Sequence, residues 1–198
     1  LLQKLNNTQD VVFGSVVSGR PTGLEGIEQT IGLIINTLPI RVQCEGEMRF
    51  NQLVKRIQTE SLESEKYSYY PLYEIQRDSV QLDHILVFEN YPIQEGLKNS
   101  GAGLQCGLTI ANVEVYEQTN YDFNIIVEAE EGLVFKIRYN SAVFEHAHVE
   151  KILEYLSNII KSVVNESHIP IRQIDISNPQ ERNLYLDSLM GDLESEYV

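Results

Sequence analysis

Positive charge is scarce in this chain: 15 Lys and Arg stand against 29 Asp and Glu, for a formal net charge of −14. Such a balance repels phosphate backbones and anionic bilayers, so neither nucleic acid nor a membrane is expected as a partner. Docking to another protein must use local patches rather than the overall field. Cysteine is nearly missing as well. Cys44 and Cys106 lie far apart, with no C-x-x-C pair and no histidine at metal-ligand spacing, which argues against zinc or thiol redox chemistry. No metal site is expected, and both thiols read as free and buried. No apolar run reaches the roughly 20 residues that a membrane-spanning helix needs. The sequence opens without an initiator methionine or targeting segment, and the expected location is cytoplasmic.

What is present suits a packed body. With 42% hydrophobic and 22% charged residues over 198 positions, the chain has the means to build one core. Residues 11–17 form a short β-branched run, as expected of a strand covered on both faces and lying inside a sheet. Gly19, Pro21, Gly23 and Gly26 then punctuate a loop, after which residues 38–43 read as extended. Phe50, Leu53, Val54 and Ile57 recur at helical spacing and predict an amphipathic helix whose apolar stripe covers the sheet. Pro71 is placed to start a short helix over residues 72–76. Residues 85–88 read as a buried strand, and residues 94–107 as a mobile connection.

Tyr121, Phe123, Ile125 and Val127 alternate, and after the turn at residues 129–132 so do Leu133, Phe135, Ile137 and Tyr139, the pattern of an antiparallel hairpin. Upstream, Leu108 and Ile110 share one parity while Val113 and Val115 take the other, which predicts a bulge or a crossing. Val149, Ile152, Leu153, Leu156, Ile159, Ile160, Val163 and Val164 form the strongest helical stripe, ending near Asn165. Residues 171–177 return along the body. Mixed strands with helices on one side make an α/β fold, a mixed-sheet two-layer sandwich.

Several residues are too particular for a plain core. The run G-S-V-V-S-G-R-P ends on Ser18, Gly19, Arg20 and Pro21, and I-G-L-I-I-N-T-L-P-I-R supplies Ile31, Gly32, Ile35, Asn36, Thr37 and Arg41. Further on stand Tyr69-Tyr70-Pro71-Leu72-Tyr73-Glu74, Arg77-Asp78-Ser79, and Asp83-His84-Ile85-Leu86-Val87-Phe88-Glu89-Asn90-Tyr91-Pro92. In this order and spacing they resemble the I-G-x-F-V-N-T-x-x-x-R, H-Q-D-Y-P-F-E and following blocks of condensation domains in nonribosomal peptide synthetases. The block after Arg77 departs from the usual R-D-x-S-R-N-P-L. The H-H-x-x-x-D-G motif associated with catalysis in that family is missing: His84, His146, His148 and His168 have neither an adjacent histidine nor a following Asp-Gly.

The resemblance therefore implies the C-terminal lobe only, residues 1–177, followed by a linker toward an adenylation domain over residues 178–198. It implies one lobe of the chloramphenicol-acetyltransferase-like fold, with a latch-like segment read into residues 103–124. The implied reaction joins a carrier-bound aminoacyl or peptidyl thioester donor to an aminoacyl acceptor through an amide bond. An isolated lobe would be inactive, with no catalytic residue of its own. The partners would be the N-terminal lobe, donor and acceptor carrier proteins and the adjoining adenylation domain. No cofactor would bind directly, since phosphopantetheine arrives on the carriers. A noncatalytic carrier-protein-binding scaffold and the C-terminal lobe of an epimerization domain are the alternatives, although no F-N-Y-L-G segment occurs near Tyr121.

Gly19, Arg20, Pro21, Asn36 and Thr37 are the candidate substrate-channel residues, because amide and hydroxyl side chains match the amides of pantetheine. Each has a plainer reading. Arg20 could pair with Glu25 or Glu28, and Asn36 and Thr37 could turn the chain before Pro39. His84 beside Asp83 resembles a catalytic dyad but also suits a strand-entry histidine with a structural hydrogen bond. The tyrosines around Pro71 are expected to pack their rings and leave their hydroxyls to solvent.

Overall fold

The computed structural model describes residues 1–20, 25–77, 81–89, 119–129, 132–178 and 182–183. Five strands make one sheet: β1 (Asp10–Val17), β2 (Asn36–Gln43), β3 (His84–Glu89), β4 (Phe123–Ala129) and β5 (Leu133–Tyr139), in the order β2-β1-β3-β4-β5. β1 pairs antiparallel with β2 and β4 antiparallel with β5, while β1, β3 and β4 run parallel, so the sheet is mixed. The helices are α1 (Leu2–Asn6), α2 (Phe50–Glu65), α3 (Leu72–Gln76) and α4 (His146–Asn165).

The β1–β2 register places Val11 opposite Val42 and Phe13 opposite Ile40, which puts these four side chains on one face. Phe50, Leu53 and Ile57 of α2 and Ile159 and Val163 of α4 pack against that cluster, together with Cys44, Ile171 and Ile174. Full burial of such a side chain contributes about 1.5–3 kcal/mol, and these half-buried helix residues each contribute a part of that, which together holds helices to sheet. Val54, grouped with the apolar stripe by its spacing, is instead 45% exposed. It lies one residue past Leu53, about 100° round the helix, so the sheet-facing stripe is narrower than the sequence pattern. The return segment closes this layer. Its backbone bonds the start of α2, with Phe50 N donating to the Ile169 carbonyl at 3.0 Å and Ile171 N to the Met48 carbonyl at 2.9 Å.

The other face explains a glycine. A Cβ on Gly14 would lie 2.8 Å from methyl groups of both Ile85 and Thr37, so the neighbouring side chains occupy the space a larger residue would need. Ile85 and Thr37 belong to the strands on either side, which places β1 inside the sheet, where its residues other than Gly14 and the exposed Asp10 are half-buried. β4 departs from its alternating pattern: Phe123, Asn124, Ile126 and Val127 are all buried, in both parities. It lies between β3 and β5 with both faces covered, where alternation no longer reports one wet side. Asn124 is tolerated there because its Nδ2 donates to the carbonyls of Tyr121 (3.0 Å) and Arg138 (3.3 Å), while the Thr119 hydroxyl donates to its Oδ1 at 2.7 Å.

Cys44 is free and buried, and burial pushes its thiol pKa upward; Cys106 lies outside the described residues. So do residues 90–118, which include the expected mobile connection and most of the expected latch, and nearly all of the expected linker. Among the described residues no helix is long and apolar enough to cross a membrane.

The far end of the β1–β2 pair is fastened by charge. Arg41 donates to Asp10 from Nε (2.9 Å) and Nη2 (2.6 Å), and Gln43 Nε2 donates to the same carboxylate at 3.0 Å. These hydrogen bonds, from Arg41 first and then Gln43, lower the Asp10 pKa to about 2. A folded-state value below the unfolded one, about 3.9, means that the stabilisation is complete above the unfolded value and is lost as pH falls toward 2. An Asp10→Asn variant is therefore expected to show a shallower loss of stability between about pH 4 and 2 than the wild-type chain. Acid titrations followed by circular dichroism check this, and parallel acid limbs would contradict it.

Candidate functional site

The topology brings one set of strand ends together. β1, β3 and β4 finish where β2 and β5 begin, so the 18–36 loop, the end of β3 and the start of β5 share one end of the sheet. At this end the loop is built by the signature residues themselves. Gly19 has φ 61°, and an added Cβ would collide with the backbone carbonyl oxygen of Ile34. The Arg20 guanidinium donates to the carbonyls of Ile27 and Thr30, the latter at 3.3 Å. Those carbonyls belong to the first residue and the C-terminal cap of a short 3-10 turn, Ile27–Gln29, entered through Gly26 at φ 78°.

Asn36 fastens the loop's exit. Its Nδ2 donates to the carbonyls of Ser68 (2.7 Å) and Tyr70 (3.0 Å), and its Oδ1 accepts from Thr37 N at 2.9 Å. Both amide hydrogens are committed, as a side chain that builds a turn requires. Arg20 and Asn36 therefore hold backbone. The plainer reading of Arg20, an ion pair with Glu25, does not occur among the described residues, and the Glu28 side chain and Pro21 lie outside the described atoms. Thr37 is the second residue of β2, opposite Val16, and its methyl fills the space a Cβ on Gly14 would need. Arg41, the last residue of the same pattern, sits at the opposite end of β2 with Asp10.

Among the described residues this end also presents large apolar side chains to solvent, which reading the signature for polar ligands missed. Ile31 is 100%, Leu33 94% and Ile35 57% exposed, and Phe88, Leu133 and Val134 are also exposed at the same end. Large exposed apolar groups gathered in one region mark an interaction surface more often than an ordinary face. The sequence signal was the odd spacing of 31, 33 and 35 in a glycine-bearing stretch too short for a core strand. The tyrosines around Pro71 also depart from expectation: Tyr67, Tyr69 and Tyr73 are more than 60% exposed, so their rings do not pack into the body.

The histidines do not join this end. His84 opens β3 at the other end, opposite Phe123, with Nδ1 2.7 Å from Asp83 Oδ1 and with Nε2 shut off from solvent and without a partner. His146 Nδ1 lies 3.0 Å from the Tyr139 hydroxyl and its Nε2 3.5 Å from Glu150. Among the described residues no cluster of His, Cys, Asp or Glu is arranged to hold a metal. The same far end has a polar cavity of about 490 Å³ lined by Thr119, Tyr121, Asn124, Arg138 and Asn140. Asn124 and Asn140 spend their amides inside its wall, Asn140 Nδ2 donating to Asp122 Oδ1 at 2.8 Å.

A family model for the condensation domain matches residues 1–186. Tyrocidine synthase 2 of Brevibacillus parabrevis is 42% identical over 190 residues, covering 94% of this chain and 5% of that synthase. Gramicidin S synthase 2 of Brevibacillus brevis is 38% identical over 193 residues, covering 96% of this chain and 4% of that synthase. The chain thus spans a small fraction of the length of these relatives. Among solved structures, a four-domain nonribosomal peptide synthetase bound to AMP and glycine superposes with TM-score 0.75 at 17% identity, covering 91% of this chain and 15% of that one. The starter condensation domain of rhizomide synthetase gives TM-score 0.66 at 16% identity, covering 89% and 42% respectively. At such identities the superpositions establish the fold, the chloramphenicol-acetyltransferase-like architecture of condensation domains. The motif order, the mixed five-stranded sheet and the match over nearly the whole chain agree that this protein belongs to the condensation domain family of nonribosomal peptide synthetases.

Proposed function

We infer that the chain is the C-terminal lobe of a condensation domain and forms one wall of the channel in which two carrier-bound substrates meet. The observation that carries this reading is the exposed apolar end built around Ile31, Leu33 and Ile35, because a chain that spans 42% of a starter condensation domain leaves room for a second lobe to cover it. The N-terminal lobe is its first partner, and the donor and acceptor carrier proteins and an adenylation domain are the others.

The reaction joins an amine to a thioester. The acceptor nitrogen attacks the donor carbonyl carbon, a C–N bond forms, the C–S bond breaks, and the proton lost by nitrogen ends on the released sulfur. Holding the two groups in attack geometry replaces a bimolecular encounter and supplies much of the acceleration. Residues of this lobe contribute position and exclusion of water. The chain has no H-H-x-x-x-D-G motif, so the proton-handling histidine belongs to the other lobe. Phosphopantetheine enters as part of each carrier-bound substrate.

Co-expression of this chain with the lobe that bears H-H-x-x-x-D-G, followed by incubation with loaded donor and acceptor carriers, is expected to give dipeptide. Either lobe alone gives none. Binding of the carriers without dipeptide, in an assay where an intact synthetase is active, would favour the noncatalytic scaffold.

A further inference from the structure

We propose that Arg20 is a positioning residue for amide formation, acting through the apolar ridge of Ile31 and Leu33 and not by touching either substrate. The inference rests on the function proposed above and specifies how this end of the lobe serves it. Three observations carry it. The guanidinium of Arg20 is turned back onto the carbonyls of Ile27 and Thr30, the first residue of the 3-10 turn that leads into the ridge and the residue that caps its end. The entrance and exit of the same segment are fixed independently, by the close approach of Gly19 to Ile34 and by the bonds from Asn36 to Ser68 and Tyr70. Between these fixed points Ile31 and Leu33 make no burying contact of their own, being 100% and 94% exposed.

Within this lobe the outward side chains of the segment gain no packing energy, so the shape that the second lobe meets is not set by their burial. The segment's conformation must come from polar ties, and Arg20 supplies two of them across a span of ten residues. A planar guanidinium reaches two carbonyls at once, whereas a lysine ammonium on a flexible stem holds such a pair less firmly. Loss of the tie leaves the ridge present but misplaced. Misplacement of about 1 Å in a positioned reaction costs on the order of 100-fold in rate.

The test is a double-mutant cycle in the full-length parent synthetase with loaded carriers. Arg20→Ala and Leu33→Ser are each expected to lower kcat for amide formation by roughly 10- to 100-fold, with KM for the acceptor carrier changed less than about 3-fold. The double variant is expected to be no slower than the slower single variant, because both changes disable one element. Arg20→Lys should recover part of the rate. Amide exchange at Gln29 and Thr30 should quicken in Arg20→Ala while the β1–β2 ladder keeps its protection, which separates loss of the tie from loss of the fold. Losses that multiply in the double variant would mean that Arg20 meets a substrate directly, and would overturn the proposal. So would an Arg20→Ala enzyme within 2-fold of wild type. A wild-type synthetase whose carriers load but yield no amide would instead remove the functional reading beneath it.

Discussion

A Gly19→Ala variant is expected to lose the native 19–35 loop, with amide exchange at Gln29 and Thr30 rising by one to two orders of magnitude up to the unprotected rate. Two costs act together. Alanine in the left-handed region occupied at φ 61° costs about 1–3 kcal/mol. The added methyl also meets the Ile34 carbonyl oxygen, a backbone atom that moves only if the strand entry moves with it. The loop has little burial with which to resist, since Ile31, Leu33 and Ile35 face solvent. The effect is therefore local opening, and the β1–β2 ladder should keep its protection. Gly32→Ala is the matched control: nothing lies within 4 Å of its added Cβ, and a change within about 0.5 kcal/mol is expected. Unchanged exchange at Gln29 and Thr30 in Gly19→Ala would show that the loop does not depend on that turn.

The elements set by apolar spacing were legible in the sequence, because spacing and burial are the same physical fact seen twice. Helix α4 ends at Asn165 where its stripe ends, and the alternating run around Leu133 is a strand paired with β4. Legibility failed where a residue's partner is decided by tertiary contact. Nothing local says that Asn36 spends its amide on carbonyls 32 and 34 residues away, or that Arg20 turns inward to Ile27 and Thr30. Their residue types suggested ligand contacts because amides and guanidinium groups serve backbone and ligand alike. Val54 shows the same limit in the core, since helical spacing admits it to a stripe that the sheet is too narrow to cover. The reverse error hid the ridge: apolar residues are read as interior by default, and only the fold reveals that Ile31 and Leu33 have nothing to pack against.

Phe123→Ala is expected to give the largest loss of stability, about 3–5 kcal/mol, because it empties a buried site that the surrounding strands cannot collapse into. Phe123 begins β4, is 7% exposed, and lies register-paired between His84 of β3 and Tyr139 of β5. Its ring meets that of Phe144 edge-on, centroids 5.1 Å apart, and this contact ties the segment before α4 to the sheet. Such an edge-to-face pair adds about 0.5–1.5 kcal/mol beyond the area it buries. Against a typical domain stability of about 5–15 kcal/mol, removal of the ring takes a large share. Urea unfolding of the full-length synthetase, followed by the exchange of β4 and β5 amides, should register the loss, while Phe123→Leu keeps most of the volume and costs less than about 2 kcal/mol. Because Phe123 stands at the opposite end of the sheet from the Arg20 loop, the leucine variant is also expected to form amide at close to the wild-type rate. A loss for Phe123→Ala below about 1 kcal/mol would mean that the ring is not part of the core. A collapse of amide formation in Phe123→Leu at preserved stability would mean that the reaction depends on both ends of the sheet.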